Sequence, residues 1–484
     1  MDEPPGHTEG GPRMPRPVDP RVAAGVVNAA ARYDRVALLI LVSLLLIRLG
    51  LSIPIYFQPT LAVEADAYGY LSLATSLVTG QGYTGGPGTS HDLFRPPAYP
   101  AFLALIFGAV GLQTWVAVAA QQALLGIIPL LFYGLGKRLG ERRMALASAI
   151  IFSLAPNAAL WGMLLMSETL FSFLLVLAAA CFGWSLLRGS RRATLASGVL
   201  LGLSALVRPI AQALFLAWEG LVLVAAFRAR KVRAGLGRGL LLAIGFLALI
   251  VPWAVRNWSE YGLFALSPVD RWYLSYFVAS STLADAEGIS LEQARERVLG
   301  SGAEGTGEIL TPTGVILRHP VSFLKGHLRG TLATLFGYGR ENLQHLLGPP
   351  PELPSWRDPA GAEGMEGALR WIAESLREAD QRRGLIVAVV LLFYSILVYA
   401  LAGIGLSRLW RAGAERRVIA LALVVTLAAL LLPVGVVGNA RFRVPMEPFL
   451  AILAGAGVVR PYASARPGPA TASPTVANSA HKQT

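Results

Sequence analysis

Val36-Ala37-Leu38-Leu39-Ile40-Leu41-Val42-Ser43-Leu44-Leu45-Leu46-Ile47 opens an apolar run that continues, interrupted by Arg48, to Pro54. As a helix, residues 36–54 would cover about 28 Å, the thickness of a bilayer's hydrocarbon core. Comparable runs recur at 114–136, 144–160, 162–187, 193–208, 210–227, 239–256, 385–407, 418–437 and 443–459. The expected fold class is therefore an all-α polytopic membrane protein of about ten transmembrane helices. A mainly helical polar region on the outer side completes it.

Composition agrees. The chain of 484 residues is 54% hydrophobic and only 15% charged, too apolar for an ordinary soluble domain. A formal charge of +13 would suggest nucleic acid in a soluble protein. Here the cations gather in short turns between apolar runs, so no nucleic-acid partner is expected and the partner is the bilayer. Lys137, Arg138, Arg142 and Arg143 form one turn; Arg188, Arg191 and Arg192 form a second. Arg228, Arg230, Lys231, Arg233 and Arg238 form a third, and Arg408, Arg411, Arg416 and Arg417 a fourth. All four fall on the cytoplasmic side if the N-terminus does. Residues 98–112 are apolar but short, and reading them as a full span would flip the next three turns outward. They are expected to be an interfacial or re-entrant helix. The single Cys181 excludes an intramolecular disulfide and a cysteine-based metal site. Heavy use of Ala, Gly, Arg and Leu fits a GC-rich bacterial genome, hence a bacterial cytoplasmic membrane.

Five segments follow. Residues 1–34 read as a disordered cytoplasmic N-terminus without a cleavable signal, and 35–256 as a transmembrane module whose first outer loop is 55–113. Residues 257–384 read as the outer polar region, 385–460 as C-terminal spans, and 461–484 as a disordered tail rich in Pro, Ala, Ser and Thr. Within the polar region, 290–299 reads as an acidic helix and 314–336 as a basic amphipathic stretch suited to lying on the membrane surface. A Pro cluster at 349–354 and a helix near 366–382 follow.

The first outer loop carries chemistry that lipid does not need. It reads Val63-Glu64-Ala65-Asp66-Ala67-Tyr68-Gly69-Tyr70, then His91-Asp92-Leu93-Phe94-Arg95-Pro96-Pro97-Ala98-Tyr99-Pro100. A carboxylate at the mouth of a span, such as Asp66, can take a proton from an acceptor hydroxyl, and partial desolvation would raise its pKa. The other reading is a solvated Asp or a helix N-cap. Glu64, two positions away, would point about 200° from Asp66 on a helix. Glu168, after Ser167, falls about two turns inside a span, where a charge is costly and marks function or a structural hydrogen bond. Glu219 reads as structural. Arg208, Arg256, Arg441 and Arg443 map to the outward ends of spans against the cationic bias, and arginine's planar fork suits phosphate oxygens. Snorkelling would explain any single one of them. His91, His319, His327 and His345 lack ligand spacing, which leaves a divalent cation open. No nucleotide-binding fingerprint is present, so neither ATP nor a nucleotide-sugar donor is indicated.

These pieces resemble the GT-C superfamily of polytopic glycosyltransferases, the broad family related to protein O-mannosyltransferases and to the lipid A aminoarabinose and galacturonic acid transferases. The matching pieces are Glu64-Ala-Asp66-Ala-Tyr68, with the Gly80 and Gly82 that end the following helix, and Arg95-Pro-Pro-Ala-Tyr99-Pro100. Met166-Ser-Glu168, Gly202 to Arg208-Pro209, Pro252-Trp-Ala-Val-Arg256-Asn257 and Arg441-Phe-Arg443 to Pro448 follow in family order. The resemblance implies a sugar donor on a polyprenyl phosphate and chemistry on the outer face. It also implies Asp66 as the catalytic carboxylate, within a loop that contacts the donor head and a glycan, lipid or protein acceptor. Glu64, Tyr68, His91, Arg95, Tyr99, Glu168 and Arg208 become candidates for that contact; Arg256, Arg441 and Arg443 become candidates for the lipid phosphate. Aminoarabinose-transferase-like members carry a metal near this loop, and the histidine that would bind it is not identifiable here. The expected reaction is an inverting transfer. The rival class is a lipid or sugar transporter, which would place paired ionisable groups and broken helices near the midplane instead.

Overall fold

The computed structural model describes residues 20–86, 92–300, 311–337 and 379–460. His91, His345, the Pro cluster 349–354 and most of the expected helix near 366–382 lie outside them. The described residues are helical and contain no β-strand.

Helix α1 runs Pro20–Gly50 and is followed by the short α2, Ile53–Phe57. It therefore begins inside the stretch 1–34 that was expected to be disordered. The Ala-rich segment after Pro20 has high helix propensity, and Pro20 suits a first helical turn. After a 3₁₀ turn at Pro59–Ala62 come α3 (Ala65–Val78), α4 (Ala98–Val110) and α5 (Thr114–Arg138). Next are α6 (Arg142–Ser153), α7 (Pro156–Trp161), α8 (Glu168–Arg188) and α9 (Arg191–Ala205). The long helices α10 (Ala211–Arg228) and α11 (Val232–Tyr261) complete the N-terminal module.

The polar region is a small helical cluster. It contains α12 (Val269–Tyr273), a π-helical turn at Leu274–Ala279, α13 (Ser280–Glu287) and α14 (Leu291–Gly300), the last over the expected acidic stretch. The basic stretch forms two helices, α15 (Pro312–Arg318) and α16 (Pro320–Phe336), broken where Pro320 follows His319. The chain ends with α17 (Ala379–Arg411), α18 (Ala414–Leu431), 3₁₀ turns at Gly435–Val437 and Ala440–Arg443, and α19 (Glu447–Val458).

The molecule is a polytopic all-α membrane protein. Six helical stretches, Asn28–Phe57, Thr114–Arg138, Glu168–Arg188, Ala211–Arg228, Val232–Tyr261 and Gly384–Arg411, are long and apolar enough to cross a bilayer. The other four expected spans fall on elements that are short or carry charge. The run 144–160 is split at Leu154 and Ala155 between α6 and α7, and 193–208 becomes the 15-residue α9. The run 418–437 falls on α18, which begins Ala-Glu-Arg-Arg, and 443–459 falls on the 12-residue α19. Helix α19 is buried on nearly every side, against α17 and α6, so its apolarity answers to the bundle interior rather than to lipid. Helix α4 is 13 residues long and apolar, too short to cross as a helix.

The basic turns meet in pairs. Arg416 reaches Glu141 at 2.5 Å, joining the first turn to the fourth, and the Arg238 guanidinium lies beside Gly189, joining the second to the third. Asp34, near the start of the first membrane stretch, bonds Lys137 at 2.6 Å. Helix α1 then carries the chain away from this layer, which leaves the Asp66 loop at the opposite end.

Helices α9 and α11 pack closely along their length. Gly198 of α9 faces Gly245 of α11 and Gly202 faces the Phe246 backbone, and a Cβ on Gly198 would meet the Leu242 carbonyl. Small residues at this spacing let helix backbones touch in lipid. Gly198→Leu is expected to destabilise the bundle by about 1–3 kcal/mol through overpacking, read as a lower thermal unfolding midpoint of the purified protein, whereas Gly220→Leu, with open space around it, should leave the midpoint unchanged.

Candidate active site

Asp66 lies in the first turn of α3, where a helix N-terminus favours negative charge. Its Oδ2 accepts from Arg441 Nη1 at 2.7 Å, a contact across 375 positions of sequence. Arg441 belongs to the 3₁₀ turn Ala440–Arg443, which is held from several sides. The Asn439 side chain accepts from the Arg441 amide at 3.0 Å, and Asn157 donates to the Ala440 carbonyl at 3.2 Å.

The second carboxylate, Glu168, starts α8 and is buried. Arg208, at the loop after α9, reaches it at 2.5 Å and also donates to Ser167 Oγ at 3.1 Å. Arg441 Nε lies 3.9 Å from the same Glu168 oxygen. One guanidinium therefore stands between Asp66 and Glu168, with a second behind it. Both stack on Phe442, at 4.8 Å for Arg441 and 5.6 Å for Arg208. Tyr70, one turn after Asp66, donates to Ser167 Oγ at 3.3 Å and ties α3 to the start of α8.

The Arg95-Pro96-Pro97 corner supplies the third cation. Arg95 lies over the Tyr70 ring at 5.3 Å and against Asp92, which also caps the Arg95 amide at 2.8 Å. A Cβ on Gly69 would collide with the Arg95 guanidinium, so the Gly69-Tyr70 pair makes this approach available. Arg256 is one step further out. It donates to the Asp92 carbonyl at 3.2 Å and stacks on Trp253, Tyr83 and Tyr261. It holds the loop that presents Arg95 rather than facing Asp66 itself.

Four expected site residues stand elsewhere. Arg443 does not join the Asp66 group. It is 2% exposed, pairs with Glu447 at 3.4 Å and donates to the Thr334 carbonyl at 3.4 Å and to that of Leu335. A 3₁₀ turn sends residues two apart to different sides, so Arg441 and Arg443 diverge. Tyr99 is fully buried and donates to Gln121 at 2.6 Å, a packing role. Tyr68 is 68% exposed on the outer surface of α3. Glu64 precedes α3 as its N-cap residue in extended conformation. Sequence reasoning passed over Tyr70, Asp92, Asn439 and Phe442 as partners. Asn439, two residues before Arg441, carried a readable signal, since Asn caps its own backbone two residues on.

Among the described residues, no three His, Cys, Asp or Glu side chains gather as a metal-binding group. The electrostatics also reverse one expectation. Burial does press the Asp66 carboxyl upward, but Arg441, with Arg95 and Arg208 behind it, outweighs burial and holds it below its ordinary value of 3.8. In the free protein Asp66 is a firmly ionised carboxylate, not a strengthened base.

Residues 94–255, about a third of the chain, match the family described as dolichyl-phosphate-mannose-protein mannosyltransferase. The match fits the GT-C superfamily and takes in Arg95, Glu168 and Arg208. A comparison with curated proteins found no match. Among solved structures, the chain is similar to the archaeal oligosaccharyltransferase AglB from Archaeoglobus fulgidus in complex with an inhibitory peptide and a dolichol-phosphate. Identity is 13%, the TM-score 0.46, and coverage 86% of this chain and 50% of that one. The apo form of the Archaeoglobus fulgidus oligosaccharyltransferase aligns at 15% identity with the same TM-score and coverage. This chain thus spans about half the length of those enzymes, and no residue role is carried over from them.

Because the folded pKa of Asp66 lies below its unfolded value, the Asp66–Arg441 contact contributes stability above about pH 3.8 that is lost as pH falls through the folded value. Arg441→Gln removes the largest opposing charge and leaves burial. The Asp66 carboxyl is then expected to protonate at higher pH than in the wild type, read as an infrared difference band absent from the Asp66→Asn double variant.

Proposed function

We propose that the chain is an integral membrane glycosyltransferase that moves a sugar from a polyprenyl-phosphate carrier to an acceptor hydroxyl. The reaction takes place on the outer face of a bacterial cytoplasmic membrane and inverts the anomeric centre. The observation that carries the reading is the half-exposed Asp66 held by Arg441, with Arg208 and Arg95 beside it, at the end of the bundle remote from the basic turns. The family match over residues 94–255 supports the reaction class, and the cationic bias of the opposite end supports the outward orientation.

The roles follow from charge. A lipid phosphate entering the site is drawn to the guanidiniums of Arg441, Arg208 and Arg95, whose planar forks suit its oxygens. Engaging Arg441 takes that cation from Asp66, so burial then dominates and the carboxylate becomes more basic when donor is bound. Asp66 accepts the acceptor's hydroxyl proton as the oxygen attacks the anomeric carbon from the face opposite the phosphate. The bond from that carbon to the phosphate oxygen breaks, and its electron pair leaves with the phosphate, where the arginines stabilise the charge. Glu168, buried against Arg208, positions that guanidinium. Clustering of these charges at one mouth favours an enzyme over a transporter, whose paired ionisable groups belong near the midplane.

The test is transfer in proteoliposomes supplied with a polyprenyl-phosphate-sugar pool extracted from the source membranes, with products read by mass spectrometry. Asp66→Asn is expected to lower turnover by about 10²–10⁴-fold while binding of a polyprenyl-phosphate headgroup analogue persists. Arg441→Ala should weaken that binding, and Arg441→Lys should retain part of it. Turnover of Asp66→Asn close to wild type would remove Asp66 from the role of base. For orientation, reporter fusions are expected to be periplasm-active after residue 300 and cytoplasm-active after residue 190; the reverse pattern would place the site on the wrong face.

A further inference from the structure

The basic stretch, read from the sequence as suited to the membrane surface, includes α16, whose two faces differ. Val321, Leu324, Leu328, Leu332 and Phe336 are all exposed, from 78% at Val321 to 40% at Phe336. Their spacing keeps them within one face of a helix. The opposite face carries the buried Gly330 and Thr334, packed on the turn Gly435–Val437. The stripe is therefore largely uncovered among the described residues, with Tyr399 meeting it at Phe336.

Polarity along α16 is graded. Lys325, His327 and Arg329 lie in its first ten residues, and Lys325 and Arg329 bend aside to Asp285 at 2.8 and 3.4 Å. From Gly330 to Phe336 there is no charge. The last carbonyls are also unusual, because an exposed helix end would leave them to water. Here Tyr399 donates to the Leu335 carbonyl at 2.7 Å, Arg443 donates to those of Thr334 and Leu335, and Phe336 packs edge-on against Tyr399. Protein donors on the terminal carbonyls are what a helix end requires inside hydrocarbon, and Thr334 and Leu335 have them.

Depth can be read from α17. Tyr399 lies twelve residues before Arg411, about 18 Å along a membrane-crossing helix from its basic end. Helix α19 gives a similar reach, since Arg408 of the basic layer bonds the Ala456 carbonyl at its far end while Arg443 precedes its first turn. Against about 30 Å of hydrocarbon, the C-terminal end of α16 falls below the boundary remote from the basic turns.

We propose that α16 is a half-inserted helix. Its stripe Leu324, Leu328, Leu332 and Phe336 packs among the acyl chains of the leaflet remote from the basic turns. Its charged first half lies at the headgroups, and its last turn lies deepest, capped by Arg443 and Tyr399. Because Arg443 is two residues from Arg441, this places a lipid-embedded helix directly behind the turn that holds Asp66. The proposal is independent of the reaction assigned to the site.

The test uses the full chain in phosphatidylcholine/phosphatidylglycerol vesicles, with a Cys181→Ser background and single nitroxide-labelled cysteines at Val321, Leu324, Leu328, Leu332 and Phe336. Accessibility to oxygen and to a water-soluble nickel chelate is compared, with Leu247 on α11 as the lipid reference and Glu292 on α14 as the aqueous one; both are exposed. The expected result is an oxygen-to-nickel ratio that climbs from Val321 to Phe336 and approaches the Leu247 value. A ratio equal at all five positions would mean a helix parallel to the surface, and ratios near that of Glu292 would mean water. Low accessibility to both agents would mean a protein partner or an uncharacterised segment of the chain on the stripe. Each of these would overturn the proposal. Labels that disturb folding are recognised by loss of the wild-type thermal midpoint, and the same positions are then read in the unlabelled protein by tryptophan substitution and quenching with bromolipids brominated at two chain depths, where stronger quenching by the deeper bromine at Phe336→Trp is required.

Discussion

The contact between Asp66 and Arg441 is the constraint around which the fold is arranged. It joins the first loop to the penultimate turn of the described chain. Neither residue could be held there by its own neighbourhood. Asp66 needs α3 packed on α4, with Tyr70 tied to Ser167. Arg441 needs its 3₁₀ turn clamped by Asn439, by Asn157 of α7, and by Arg443 gripping the end of α16. A carboxylate and a guanidinium this far apart in sequence meet only when the whole bundle is closed.

Beneath that contact lies a layer of buried polar groups that a membrane protein maintains at a cost. Arg48 is 3% exposed and bonds the Phe152 carbonyl at 2.9 Å; Glu447 accepts from the Ala158 amide at 3.1 Å and faces Arg443. Buried ionic groups add little net stability when complete, because desolvation offsets their attraction, but removing one partner strands the other. Their physical effect here is registry. They set α1, α6, α7 and α19 at one relative height, and that height determines where Arg441 projects.

On the other side of Asp66, the Asp92–Pro97 corner works by shape. Asp92 holds the backbone and side chain of Arg95, Arg256 holds the Asp92 carbonyl, and the Tyr83 hydroxyl donates to the Arg95 carbonyl at 2.8 Å. The aromatic faces of Trp253, Tyr83 and Tyr261 in turn receive the Arg256 cation. Cation–π stacking and backbone donation thus replace direct contact with the site. Arginines that looked equivalent at the ends of their helices divide into those that face Asp66 and those that support the elements around it.

Composition, hydrophobic run length and the placement of cations determined the all-α membrane fold and the end of the bundle carrying the basic turns, and they put Asp66, Glu168, Arg208 and Arg441 among the candidates, while Arg95 entered through the family resemblance. These follow from local properties, since an apolar run answers to lipid and a charge beside it answers to function. Run length alone did not separate a helix facing lipid from one buried in protein. The apolar stretch 443–459 read as a span, yet α19 is short and enclosed. Nor did spacing separate Arg441 from Arg443. One grips Asp66 and the other caps α16, because a 3₁₀ turn and its packing against α7 and α16 decide which way each points. The sign of the Asp66 shift likewise depended on tertiary structure. Burial is a local expectation, but the guanidinium that overrides it arrives from the far end of the described chain, and electrostatic energy depends on distance in space rather than separation in sequence.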